Sequence, residues 1–360
     1  MSKRIFLSPP FIGAAERRAV ESAFDSKYIA PCGPDVERFE RKLAGIAGRR
    51  HAVAVSSGTA ALDLIMHCLG VDGTWTVFAP TLTFVASVGP AYHRGAKLVF
   101  VDCDEQGLVD VALLGKALKA CKSRRKLILG VDLYGNCCNY NALEALSAAY
   151  GAKLVIDSAE AVGATLDGRP AGSAGIAAIY SFNGNKIVTT SSGGAVLTDD
   201  PGLAARAAKL AQQSREPVLW YEHREVGYNY RLSNILAAIG CAQLGRLGQI
   251  LEKRRRLYRH YLEVGGKYLR HSPSGNHWLT VRLCGGEEER NRLIGEFDRA
   301  GIEVRPVWKP MHLQPVFAGC QVAGGKVAER LFRTGLCLPS GTGLKKNDLK
   351  RIDEVLLNMV

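Results

Sequence analysis

Lys153-Leu154-Val155-Ile156-Asp157 is an apolar run ending on a carboxylate, and Ala177-Ala178-Ile179-Tyr180-Ser181-Phe182-Asn183-Gly184-Asn185-Lys186 is a second, ending in a Gly/Asn turn and a lysine. Neither alternates polar with apolar residues, so each reads as a strand covered on both faces, the habit of a parallel sheet. Similar runs occur at 51–57, 75–80, 97–103, 127–134 and 194–198, with helical patterns at 59–69, 84–93, 111–121 and 141–150. The pattern predicts an α/β fold with a mostly parallel seven-stranded sheet flanked by helices. Ligands of such sheets gather at the carboxyl ends of the strands. Residues 56–59, Asp157 and 181–186 all fall at such ends.

Beyond residue 200 the pattern changes. A polar, aromatic stretch (220–230) precedes a small-residue helix (233–244) suited to close packing and a long basic helix (247–268). Shorter strands (277–283, 303–307) and helices (287–300, 347–357) follow. The expected division is a large α/β domain at 13–245 and a smaller α+β domain at 246–360, with residues 1–12 packing near the latter.

Composition narrows the function classes. The chain has 360 residues, 47% of them hydrophobic, but no uninterrupted apolar run long enough to span a bilayer. Its first residues hold too few apolar side chains for a secretory signal. Ten scattered cysteines without a C-x-x-C pair read as reduced thiols of a cytoplasmic protein, neither a disulfide framework nor a zinc site. The histidines lack ligand spacing, so no metal is expected. Phosphate-loop and dinucleotide glycine motifs are absent. The net charge of +13 favours an anionic partner. The densest run, Lys253-Arg254-Arg255-Arg256, reads as the solvated face of a helix with an apolar underside. No nucleic-acid-binding signature accompanies it.

A lysine in a Gly/Asn turn, with a carboxylate ending an upstream strand, suits pyridoxal 5'-phosphate (PLP). That cofactor needs an amine for covalent attachment and an acid beside its ring nitrogen. Ser56-Ser57-Gly58-Thr59-Ala60-Ala61-Leu62 joins a strand to a helix, offering free amides as a phosphate seat; an ordinary capped helix is the alternative. Asp157 reads as the ring-nitrogen partner or a structural carboxylate, and Lys186 as the reactive amine or a solvated loop lysine. Ser181 suits the phosphate, and Phe84 either a ring contact or a core position. Their convergence on one sheet edge favours the cofactor reading.

These residues resemble the DegT/StrS-type nucleotide-sugar aminotransferases, a branch of the fold-type I PLP-dependent transferases. The resemblance runs through Ser57-Gly58-Thr59-Ala60-Ala61-Leu62, Asp157-Ser158-Ala159-Glu160, Ser181-Phe182-Asn183-Gly184-Asn185-Lys186 and Gly227-Tyr228-Asn229-Tyr230-Arg231-Leu232-Ser233. It continues through Arg305-Pro306-Val307-Trp308-Lys309-Pro310-Met311-His312 and Leu338-Pro339-Ser340-Gly341-Thr342. It implies that Lys186 is the catalytic lysine, that Gly58, Thr59 and Ser181 hold the phosphate, that Phe84 lies on the ring and that Asp157 pairs with its nitrogen. Glu160, where relatives often carry Gln or His, is implied to contact the cofactor. Asn229 is implied to reach the cofactor phosphate of a neighbouring subunit, giving a homodimer with shared active sites. Tyr221, His223 and Arg224 from that crossing segment, and Trp308 and His312 further on, are implied on the substrate side. Arg231 is a candidate for the glutamate carboxylate, with a structural arginine as the alternative.

Leu133-Tyr134-Gly135-Asn136 and the Asn-Gly-Asn-Lys turn resemble the bacterial protein-glycosylation (Pgl) branch. That implies L-glutamate and a UDP-linked 4-keto-6-deoxy-N-acetylglucosamine as substrates, in the 4-amination step of bacillosamine synthesis. The mechanism implied has Lys186 as both acid and base in a dry, cation-rich pocket. Rival readings are amination at C3 or of another sugar nucleotide, a sugar dehydratase, and a non-catalytic regulatory protein. Lys186 argues against the dehydratase, whose lineage carries histidine there, and the Asp157/Ser181/Lys186 set argues against the regulator.

Overall fold

The computed structural model describes residues 3–357. Its main sheet has eight strands: β1 (His51–Val55), β2 (Trp75–Pro80), β3 (Lys97–Val101), β4 (Arg125–Val131), β5 (Lys153–Asp157), β6 (Ala177–Ser181), β7 (Gly194–Thr198) and β8 (Gln321–Ala323). Their spatial order is β1-β7-β6-β5-β4-β2-β3-β8. Strand β7 runs antiparallel to β1 and β6, and the other pairs are parallel.

Side chains alternate across each strand, so one sheet feeds two cores. Phe78, Val99, Ile128, Ile156 and Leu197 enter one, while Val77, Leu98, Leu129, Val155 and Val196 enter the other. Helices cover both faces, which explains the near-continuous apolar strands. The seven expected strands all form. The eighth, β8, pairs Val322 with Phe100 and covers the otherwise open edge of β3. Three residues between turn glycines carry too little periodicity to announce a strand.

A second, four-stranded antiparallel sheet joins Lys267–Tyr268, Thr280–Leu283, Gly335–Leu338 and Arg305–Pro306, in that spatial order. Tyr261, Phe297, Leu336 and Ile352 belong to its core. The N-terminal segment lies against this region: Ile5 bridges to Ile302, and the Leu7 carbonyl accepts from Ser340 N at 2.6 Å. Among the described residues, no helix is long and apolar enough to cross a membrane.

Several boundaries differ from the sequence expectation, three of them for a clear physical reason. The basic helix ends at Val264 because Gly265 and Gly266 follow at φ 97° and 105°. The strand expected from 277 begins at Thr280, since His277 sits at φ 51°. That expected at 303–307 shrinks to Arg305–Pro306, where proline has no N–H to extend the ladder. The basic run also departs from a purely solvated face. Arg254 is only 2% exposed, because it follows Ile250 and precedes Leu257 and Tyr261 on the buried stripe.

Candidate active site

The register aligns Val131, Asp157 and Ile179 across β4, β5 and β6, so these strands end together. All three line a cavity of about 810 Å³ that also takes in Gly58, Thr59, Phe84, Glu160, Ser181, Lys186 and Trp308. Residues scattered over some 250 positions of sequence thus meet at one sheet edge, as the strand-end argument requires.

Ser57 caps the helix Gly58–Cys68, its Oγ accepting from Ala60 N at 3.0 Å. The first amides of a helix have no partner within it, and here Gly58 and Thr59 stand at the cavity. Gly58 packs so closely on β6 that a Cβ would lie 3.1 Å from Ser181 Cβ. A small residue is therefore required where the helix start and the Ser181 hydroxyl meet. This cradle fits a phosphate.

Asp157 is 5% exposed, accepting from Ser87 Oγ at 2.6 Å and Ala159 N at 3.0 Å. Burial pushes its carboxyl up, opposed by the Ser87 hydroxyl, the Ala159 amide and the charge of Lys186. A buried carboxylate without a direct ion pair fits a protonated ring nitrogen. Three residues on, Glu160 Oε2 accepts from Tyr134 N at 2.8 Å and Oε1 from Lys186 Nζ at 3.2 Å. Burial drives the Glu160 carboxyl up to about 7, although Lys186 and the Tyr134 amide oppose it. Nearby Asp132 is wholly buried but accepts from Cys138 N, Tyr140 Oη and Ser158 Oγ; it braces the Asp157–Glu160 turn rather than entering the cavity.

The Lys186 ammonium also lies 4.0 Å from the centre of the Trp278 ring. Trp278 Nε1 donates to the Asn185 carbonyl at 2.7 Å, and Ser8 Oγ donates to the same oxygen at 2.8 Å. Behind them Arg254 donates to Ser8 Oγ, the Trp278 carbonyl and Thr342 Oγ1, at 3.2, 3.0 and 2.9 Å. Burial without a carboxylate partner lowers the Arg254 guanidinium to about 9. The lysine loop is therefore anchored from three distant segments. Sequence reading missed Trp278, Ser8 and Arg254; only the spacing of Arg254 with Ile250, Leu257 and Tyr261 signalled an inward position.

The other expected residues divide between the cavity and positions outside it. Trp308 lines the cavity and tilts against Phe84, ring centres 5.5 Å apart. Tyr221 is 76% exposed, and His223, Arg224 and Asn229 are also exposed, outside the cavity of their own chain. The Nδ1 of His312 meets Thr81 Oγ1 at 2.6 Å and its Nε2 meets Glu329 at 3.1 Å, and the residue does not line the cavity of its own chain. Arg231 is tied to Glu40 at 2.6 Å and to the Ala54 carbonyl, also outside that cavity. One chain alone does not supply a cation-rich pocket. Among the described lining residues, Lys186 and Arg305 face three carboxylates, Asp157, Glu160 and Glu303.

Comparison with known proteins shows the family. The profile of the DegT/DnrJ/EryC1/StrS aminotransferase family matches residues 10–357. EpsN of Bacillus subtilis, assigned provisionally as a pyridoxal phosphate-dependent aminotransferase, is 38% identical, covering 100% of this chain and 96% of that protein. The GDP-perosamine synthase of Caulobacter vibrioides is 36% identical over 98% of this chain and 99% of its own. The crystal structure of a DegT/DnrJ/EryC1/StrS aminotransferase from Brucella abortus superposes with a TM-score of 0.89 at 27% identity, covering 96% of this chain and 95% of that one. The chain belongs to the DegT/DnrJ/EryC1/StrS aminotransferase family, and so to the PLP-dependent sugar aminotransferases.

Proposed function

We propose that this enzyme transfers the amino group of L-glutamate to the C4 ketone of UDP-2-acetamido-2,6-dideoxy-4-keto-hexose, giving the 4-amino sugar for protein glycan synthesis in the cytoplasm. The observation that carries the reading is Lys186 Nζ, held between Glu160 and the Trp278 ring at the strand edge where Asp157 and the Gly58 helix start converge. Gly58, Thr59 and Ser181 would hold the cofactor phosphate, Asp157 would pair with the ring nitrogen, and Phe84 and Glu160 would contact the cofactor. Bound PLP supplies an electron sink for the pair left at the reacting carbon. Lys186 takes the proton from Cα of L-glutamate and, in the second half-reaction, delivers one to C4 of the sugar. The same amine would be base and then acid within each half-reaction: the proton taken from Cα would be passed to the cofactor carbon in the first, and taken back from that carbon before delivery to C4 in the second.

The enzyme acts as a homodimer with shared sites. The segment carrying Tyr221, His223, Arg224 and Asn229 projects Leu219, Trp220 and Val226 into solvent at 95%, 63% and 90% exposure. So many bare apolar side chains on one segment favour a covering partner. A GDP-linked keto sugar is the second reading, favoured by the Caulobacter relative's name.

The test follows the visible absorbance of the PLP-loaded enzyme. L-glutamate should bleach the cofactor band, and the UDP-4-keto sugar should restore it. Restoration by a GDP-keto sugar alone would replace the first reading with the second. No response to glutamate would overturn both.

A further inference from the structure

Nucleotide sugar and dicarboxylic donor are both anions, yet the cavity of one chain offers them more carboxylates than cations. Lys186 is engaged by Glu160 and Trp278 and is only 13% exposed in its side chain. Arg231 is held by Glu40 and lies outside the cavity. Arg254 is buried behind the lysine loop. Among the described lining residues, Arg305 is the cation left with its head group free to move.

The Arg305 backbone is fixed, since it pairs with Cys337 in the second sheet and both residues line the cavity. Its side chain is 68% exposed and donates through Nε and Nη2 to Glu303 Oε1 at 3.1 and 2.9 Å. The other Glu303 oxygen accepts from Leu7 N at 3.1 Å, so that carboxylate stays in place if the guanidinium leaves. An exposed ion pair is close to neutral in free energy, so exchanging it for a substrate anion costs little. A planar guanidinium grips a carboxylate or phosphate through two parallel hydrogen bonds.

We infer that Arg305 is the anion anchor of the active site, leaving Glu303 to take an anionic group of the substrate, either the carboxylate of the donor or a phosphate of the nucleotide. The inference rests on the proposed aminotransferase reading of the cavity. Its test uses the PLP-loaded enzyme, Arg305→Met and Arg305→Lys, following each half-reaction by cofactor absorbance, with inorganic pyrophosphate as a competing anion. Losing charge-assisted hydrogen bonds should lower kcat/KM in at least one arm by roughly ten- to hundredfold, carried by KM, with Arg305→Lys keeping part of it. Loss with glutamate alone assigns the carboxylate, and loss with the sugar nucleotide alone assigns the phosphate. Loss in both means one cation serves each anion in turn. Pyrophosphate should inhibit the glutamate arm of the wild type and lose that effect in Arg305→Met if phosphate is the ligand. If the wild type ignores the UDP-keto sugar, the substrate reading fails while the glutamate and pyrophosphate arms still judge Arg305. Unchanged glutamate kinetics together with unchanged pyrophosphate inhibition and, where measurable, unchanged sugar kinetics would overturn the inference.

Discussion

Replacing Glu160 with Gln removes a buried charge and keeps the shape, which makes its effect on stability calculable. The carboxyl titrates near 7 in the folded cofactor-free chain, because it is buried, against about 4.5 for an ordinary glutamate. Below pH 4.5 both the folded and the unfolded chain hold the proton, and above 7 neither does. Between them the folded chain keeps a proton that the unfolded chain has released, so the slope of stability with pH is negative. The contribution is present at low pH and is lost as pH rises through 7. A window of about 2.5 pH units at 1.36 kcal/mol each gives about 3 kcal/mol. Chemical denaturation of cofactor-free wild type and Glu160→Gln at intervals from pH 4.5 to 8 measures it. The wild type should lose about 3 kcal/mol relative to the variant across that range. Parallel curves would refute the claim that Glu160 is a strained buried acid held by Lys186 and the Tyr134 amide.

Asp157→Asn should weaken PLP binding by roughly ten- to hundredfold, since an amide cannot favour a protonated ring nitrogen; a cofactor titration followed by absorbance measures this. Gly58→Ala should also weaken cofactor binding, with about 1 kcal/mol lost in denaturation, because its Cβ would meet Ser181 at 3.1 Å. Arg254→Met should change global stability by only about 2 kcal/mol, since relief from burying a charge offsets the lost hydrogen bonds. Its kcat should nevertheless fall by roughly a hundredfold through slackening of the Asn185–Lys186 loop. A kcat loss no larger than the stability loss explains would reduce Arg254 to a packing residue.

How far the sequence discloses the site depends on whether a residue's neighbours are local. The positions of Asp157 and Lys186 were legible because the first ends an apolar strand and the second lies in the turn after another, and strands of a parallel sheet end together. Ser57 announced the Gly58 helix by capping chemistry confined to four residues. The lysine's support was hidden for the opposite reason. Trp278 and Ser8 reach Asn185 from 93 and 177 residues away, and Arg254 acts through hydrogen bonds to both of them. Arg254 was further masked by its basic neighbours, whose charges made the whole run look solvated. The intrachain partners of His312 and Arg231 were hidden too, because Glu329 and Glu40 lie on other elements.

The central claim is that Lys186 is the amine that holds the cofactor and moves the proton. Borohydride reduction of the PLP-loaded enzyme, followed by proteolysis and mass spectrometry, tests it most directly. The account predicts one modified peptide, with the cofactor's mass on Lys186, and no labelling in Lys186→Ala. Attachment to another lysine, or labelling that persists in the variant, would contradict it.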